Sequence, residues 1–183
     1  MRMTDLSGKK GGRSVLPRPT AALRNAAVIF ALLLSVFSCS SIDCPIQTSV
    51  EVKYQVCQFE AGEVVGDTLA DTLFVLTRIS NGKDTVLLSR GIDLTTFSLP
   101  VSYQRPADTL TIVLAHKTGV WTADTVWMQK DDIPHFESVD CPAHFFHRIT
   151  AVRSTHHGID SIAIGNPSVT YDPEITNINI SFK

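Results

Sequence analysis

An antiparallel β-sandwich is the fold class this sequence predicts. Three observations carry the prediction. Short runs alternate apolar and polar residues, no segment sustains a 3.6-residue period, and turn signals recur between the runs. The first run is "SVEVKYQV" (49–56), whose apolar face is Val50, Val52, Tyr54 and Val56. "TLFVLTRI" (72–79) and "TVLLSR" (85–90) flank Asn81-Gly82, the strongest short hairpin signal. "FSLPV" (97–101) is a short strand. "DTLTIVLAH" (108–116) puts Leu110, Ile112 and Leu114 on one face, and "HKTGV" (116–120) turns it back into "WTADTVWM" (121–128). "THHG" (155–158) is read as a second such turn, joining "RITAVRS" (148–154) to "IDSIAI" (159–164). "NINISF" (177–182) closes the series with Ile178, Ile180 and Phe182 pointing together. The total is about nine short strands, the density of a sandwich.

The start of the chain reads differently. Residues 2–24 hold six basic residues and one acid, and the twelve-residue run "AAVIFALLLSVF" (26–37) follows. A basic stretch, a short apolar core and a small residue before the cut describe an export signal. Twelve residues are too few to span a bilayer, which takes about twenty. "VFSC" (36–39) resembles the lipobox of bacterial lipoproteins, so Cys39 is expected to be diacylated and to anchor the chain to a lipid bilayer. The expected organisation is a signal peptide over 1–38, the lipidated Cys39 and a tether over 39–47, and a β-sandwich over 48–183.

Without residues 1–38, Lys plus Arg falls from 16 to 10 and Asp plus Glu from 18 to 17, a net charge of about −7. Such an acidic domain without a basic stripe excludes nucleic acid as a partner. Export also places the remaining cysteines where disulfides persist. Cys44 and Cys141 sit in near-copies of one pentapeptide, "SIDCP" and "SVDCP", and are the expected pair. Cys57 is then a free thiol on the face opposite Val56, although other pairings stay open on the sequence alone.

Five Asp-Thr pairs, beginning at Asp67, Asp71, Asp84, Asp108 and Asp124, recur at irregular gaps. They match no solenoid repeat and no EF-hand loop, and are read as turns feeding strands. Trp121 and Trp127 lie an even number of residues apart and share a face of one strand. Core packing is the first expectation for them; an exposed ligand platform for a glycan or peptide is the alternative.

Four of the six histidines fall within residues 144–157. Cys141, His144 and His147, with His156 and His157 on the next turn, offer nitrogen and sulfur donors of the kind zinc or copper takes. Against that, a disulfide would occupy Cys141, His144 and His147 would face opposite sides of a strand, and His156-His157-Gly158 makes a natural turn using positive φ. Turn and sheet-edge histidines are expected, with no metal and no cofactor. No nucleophile elbow, zinc-protease motif or paired catalytic carboxylates occur, so no enzyme activity is expected.

"CSSIDCP", "FSLPVSY", "DTVW", "PHFESVDCP", "FFH", "THHGIDSI" and "NPSVTYD" resemble blocks of a family of small uncharacterised envelope lipoproteins from Bacteroidota, over residues 39–172. The resemblance implies a lipoprotein of the cell envelope and carries no catalytic motif. Only Asp43 follows Cys39 closely as an acid, so the periplasmic face of the outer membrane is expected rather than the cell surface. The expected role is structural or interactive, with an envelope protein or glycan as the partner.

Overall fold

The computed structural model describes residues 21, 25, 50–78, 82–136, 138–141 and 144–183. The export segment, the tether, Cys39 and Cys44 therefore lie outside the described residues, apart from Ala21 and Asn25. The chain divides into two units, Met1–Asp43 and Cys44–Lys183. Of the first, Ala21 and Asn25 are helical and exposed. The second is a β-sandwich.

Its strands are β1 (Glu51–Glu60), β2 (Glu63–Gly66), β3 (Thr72–Arg78), β4 (Asp84–Gly91), β5 (Thr96–Pro100), β6 (Ala107–Ala115), β7 (Trp121–His135), β8 (His144–Ser154), β9 (Ile159–Ile164), β10 (Ser168–Val169) and β11 (Ile178–Phe182). The described residues thus form eleven strands rather than nine. β2 and β10 are the additions, too short at four and two residues to show a period. One sheet runs β2-β1-β11-β9, with β5 also on β1; the other runs β10-β8-β7-β6-β3-β4. The ladders are antiparallel except β1–β11, which is parallel, with Tyr54 opposite Ile178 and Val56 opposite Ile180.

Period-two alternation builds the core. Val52, Tyr54 and Val56 from β1 and Ile178 and Ile180 from β11 meet Leu73, Val75, Leu110, Ile112, Leu114 and Val126 from the opposing sheet. Burying each such aliphatic side chain is worth about 1.5–3 kcal/mol. Tyr54 stacks on Phe97 with ring centroids 4.8 Å apart. The predicted glycine turn between β6 and β7 forms, with φ of 85° at Gly119, and Gly82 ahead of β4 has φ of 80°.

Two expectations are corrected here. "THHG" joins β8 to β9 but makes no hairpin, because β8 and β9 belong to different sheets and the segment crosses between them. Nor does it use positive φ; the described residues that do are Ala61, Gly62, Gly82, Arg90, Asp93 and Gly119. Gly158 is needed for closeness instead. A Cβ there would sit 2.5 Å from Thr122 Oγ1 and 2.9 Å from Leu114 Cδ1.

Candidate functional site

The inward face of the six-stranded sheet carries two carboxylates among its aliphatic residues. Asp124 follows the parity of Val126 and Met128 on β7 and is buried. It holds the crossover between the sheets. The backbone N–H groups of His157, Gly158 and Ile159 donate to it at 2.7, 2.6 and 2.8 Å, and Thr155 Oγ1 donates at 2.6 Å. His157 Nδ1 lies 3.0 Å away, on the exposed side. Burial pushes the Asp124 carboxyl up, but the donors of residues 155–159 together hold it well below the usual carboxylate range.

Asp108 follows the parity of Leu110, Ile112 and Leu114 on β6 and is also buried. The Ser102 N–H donates to it at 3.2 Å, and Arg105 Nη2 stands 3.7 Å away. Lys130 and His147, both buried, lie in the same region. Lys130 Nζ donates to Arg105 O at 2.8 Å and to Asp132 at 2.6 Å, and His147 Nδ1 lies 2.7 Å from the same Asp132 oxygen. A bulge brings these groups together. The β7–β8 register slips between Gln129 and Lys130, so Thr150 and Ala151 are both exposed while Lys130 pairs with Ile149 inside. Burial raises the Asp108 carboxyl against the pull of the Ser102 N–H, Lys130, Arg105 and His147. It lowers the His147 imidazole although Asp132 pulls the other way. Burial, and then the Asp108 charge, push the Tyr54 phenol up.

A third constellation links Asp71, His116 and Thr122. His116 Nδ1 lies 2.7 Å from Asp71 Oδ2 and its Nε2 2.9 Å from Thr122 Oγ1, the order of a hydrolase relay. Gly158 lies close to the Thr122 hydroxyl, where a Cβ would come within 2.5 Å of it. Lys117 N donates to Asp71 at 3.1 Å, so the trio ties the β6–β7 turn to the entry of β3.

The tryptophans do not join the core, and that expectation is corrected. The inward places on β7 go to Asp124, Val126 and Met128, so Trp121 and Trp127 stand on the outer face. Trp121 is 62% exposed and stacks on Phe74 at 5.6 Å; the Arg153 guanidinium lies 4.1 Å over the Trp127 ring.

The histidines disperse. His147 goes to Asp132, while His144 is buried against Tyr171 on the other parity of β8. Neither is a sheet-edge residue in the sense expected from the sequence. His156 Nδ1 lies 3.1 Å from Asp160 O, and His157 meets Asp124. Among the described residues no three His, Cys, Asp or Glu side chains converge as a metal site. Cys57 is a free, buried thiol, raised by burial. Cys141 is buried at the entry of β8. The Asp-Thr reading holds at Asp71 and Asp84, which open β3 and β4, and fails at Asp108 and Asp124. The missed signal was parity, since both share a face with core aliphatics.

These features define a β-sandwich module with charged side chains buried among its aliphatic residues and aromatics turned out. Within that class, the family model described as "Family of unknown function (DUF6452)" matches residues 72–182, and the chain belongs to that family. No curated protein and no solved structure matches it.

Proposed function

We propose that the protein is a lipid-anchored, non-catalytic interaction module of the bacterial cell envelope, held to the outer membrane through an acylated Cys39. The observation that carries the interaction role is the outward aromatic face of the six-stranded sheet, where Trp121 rests exposed on Phe74. An exposed tryptophan gains little from folding, whereas aromatic and arginine side chains dominate binding energy at interfaces. The export signal and the "VFSC" motif support the anchor, and the Bacteroidota resemblance supports an envelope lipoprotein. A Cys44–Cys141 disulfide belongs to the same reading. Cys57 is a free, buried thiol, which leaves Cys141 for that pairing.

The test places a photo-crosslinking amino acid at Trp121 in living cells. One discrete adduct, lost when Trp127 is changed to Ala, supports the face as the interface; no discrete adduct, with the protein present in the membrane, sinks it. Metabolic labelling with an alkynyl fatty acid tests the anchor separately, with label expected on the wild type and absent from Cys39→Ala. A glycan as the partner is favoured by one further observation: the Thr109 backbone pairs with Trp127 and Thr111 with Thr125, which sets exposed hydroxyls beside the rings. That reading predicts a saturable change in tryptophan fluorescence on adding envelope polysaccharide.

A further inference from the structure

The end of the sandwich beside the β5–β6 connection opens into a cleft of about 400 Å³. Ligand pockets run from about 300 to 1,000 Å³ and combine apolar walls with a few fixed polar groups. Leu87, Pro100, Val101 and Leu110 supply the apolar walls here, and Asp108 and Arg105 supply opposite charges. The Asp108 side chain is 7% exposed and that of Arg105 38%. A carboxylate offers about four acceptor positions. Among the described residues Asp108 receives one hydrogen bond, from Ser102 N at 3.2 Å, since Arg105 Nη2 at 3.7 Å is beyond bonding distance. The nearby Lys130 ammonium donates to Arg105 O and Asp132 instead. Asp108 is thus a buried anion with spare acceptor capacity at a cleft wall. Arg105 spends Nη1 on Arg78 O at 2.9 Å.

We propose that this cleft binds a small zwitterion, a free α-amino acid with an aliphatic side chain. A simple amine drawn to Asp108 would meet the Arg105 charge, and a simple acid drawn to Arg105 would meet Asp108. A molecule carrying both groups on one carbon satisfies both residues, and the apolar walls take its side chain. No bond is made or broken.

The test is isothermal titration calorimetry on the purified full-length protein. The probes are L-leucine, L-isoleucine and L-valine, with N-acetyl-L-leucine and 3-methylbutylamine lacking one charge each. At least one amino acid is expected to bind saturably, and both single-charge probes at least about tenfold more weakly. Asp108→Asn is expected to abolish binding. Because that change also touches the buried charges, two peripheral variants accompany it. Leu87→Trp, on the edge strand β4 and packed against the rim of the core, fills the cleft and is expected to abolish binding while the protein still melts cooperatively. Arg105→Ala is expected to weaken the amino acids about tenfold while strengthening the amine, which no longer meets a like charge. No heat from any of the three amino acids with folded wild-type protein overturns the proposal, as does binding that persists unchanged in Leu87→Trp. These measurements involve neither Cys39 nor the tryptophan face, so their failure and the failure of the interaction role are distinguishable.

Discussion

Asp124 is the residue on which the crossover depends. A buried carboxylate satisfied by three backbone N–H groups and a hydroxyl closes the 155–159 segment without glycine at positive φ. Removing it strands several buried donors, each costing about 1–3 kcal/mol. Asp124→Ala is expected to lower unfolding free energy by about 3–5 kcal/mol in urea denaturation; a loss below about 1 kcal/mol would show that the segment closes on its own packing. His147 gives a prediction in pH. Its folded-state pKa is lowered, so the unfolded chain takes up the proton first as pH falls. The stability it protects is present above about pH 6.5 and declines below that value. Asp108 acts with the opposite sign, because its raised pKa lets the folded state bind its proton first and gain stability in acid. Asp124, with its lowered pKa, loses its contribution only further into acid, below the ordinary carboxylate range. Comparing the wild type with a variant lacking the imidazole therefore isolates the His147 contribution. Melting temperature is expected to fall from pH 7 to pH 5.5 in the wild type and to fall less in His147→Gln; equal slopes would remove His147 from the account.

At the scale of elements, strands with their own alternation were legible. β9 was read to the residue, and the inward faces of β1, β6 and β11 were assigned correctly because burial forces period two. What escaped was decided by tertiary partners. "THHG" has hairpin composition, but a hairpin needs its strands in one sheet, and Asp124, some thirty residues away in sequence, draws the segment across instead. The β7–β8 bulge has no residue signature, yet it turns Ile149 and His147 of β8 inward beside Lys130. The tryptophans escaped because strand parity leaves two faces to choose between, and Asp124 beside Val126 and Met128 leaves neither face clearly the wet one. Gly158 is where local and tertiary readings diverge most usefully. Gly158→Ala keeps an allowed backbone but pushes a methyl group against the Thr122 hydroxyl and Leu114. Overpacking of this kind costs about 1–3 kcal/mol. If Gly158 were only a flexible turn residue, the same substitution would be neutral or slightly stabilising, so the sign of the change in thermal melting decides between them.

For the whole molecule, the order of strands could not be read from local pattern, because β1 and β11 come from opposite ends of the domain and pair in parallel. Long-range pairing of this kind pays its loop-closure entropy before it returns contacts. The sandwich therefore closes only when its last strand arrives. β11 lies between β1 and β9, and Ile178, Ile180 and Phe182 on it are buried. Losing those three side chains forfeits about 1.5–3 kcal/mol each, and β9 loses its only ladder within that sheet. Against a typical domain stability of about 5–15 kcal/mol, that loss is close to the total. A chain ending at Asn177 is expected to show no cooperative melt by circular dichroism. β2 is the contrast, an edge hairpin arm whose four residues are all exposed. Replacing Glu63–Gly66 with a glycine-serine loop is expected to change stability by no more than about 1 kcal/mol. If truncation after Asn177 instead leaves a cooperative transition, the six-stranded sheet folds without its partner, and the two layers are less interdependent than their shared core implies.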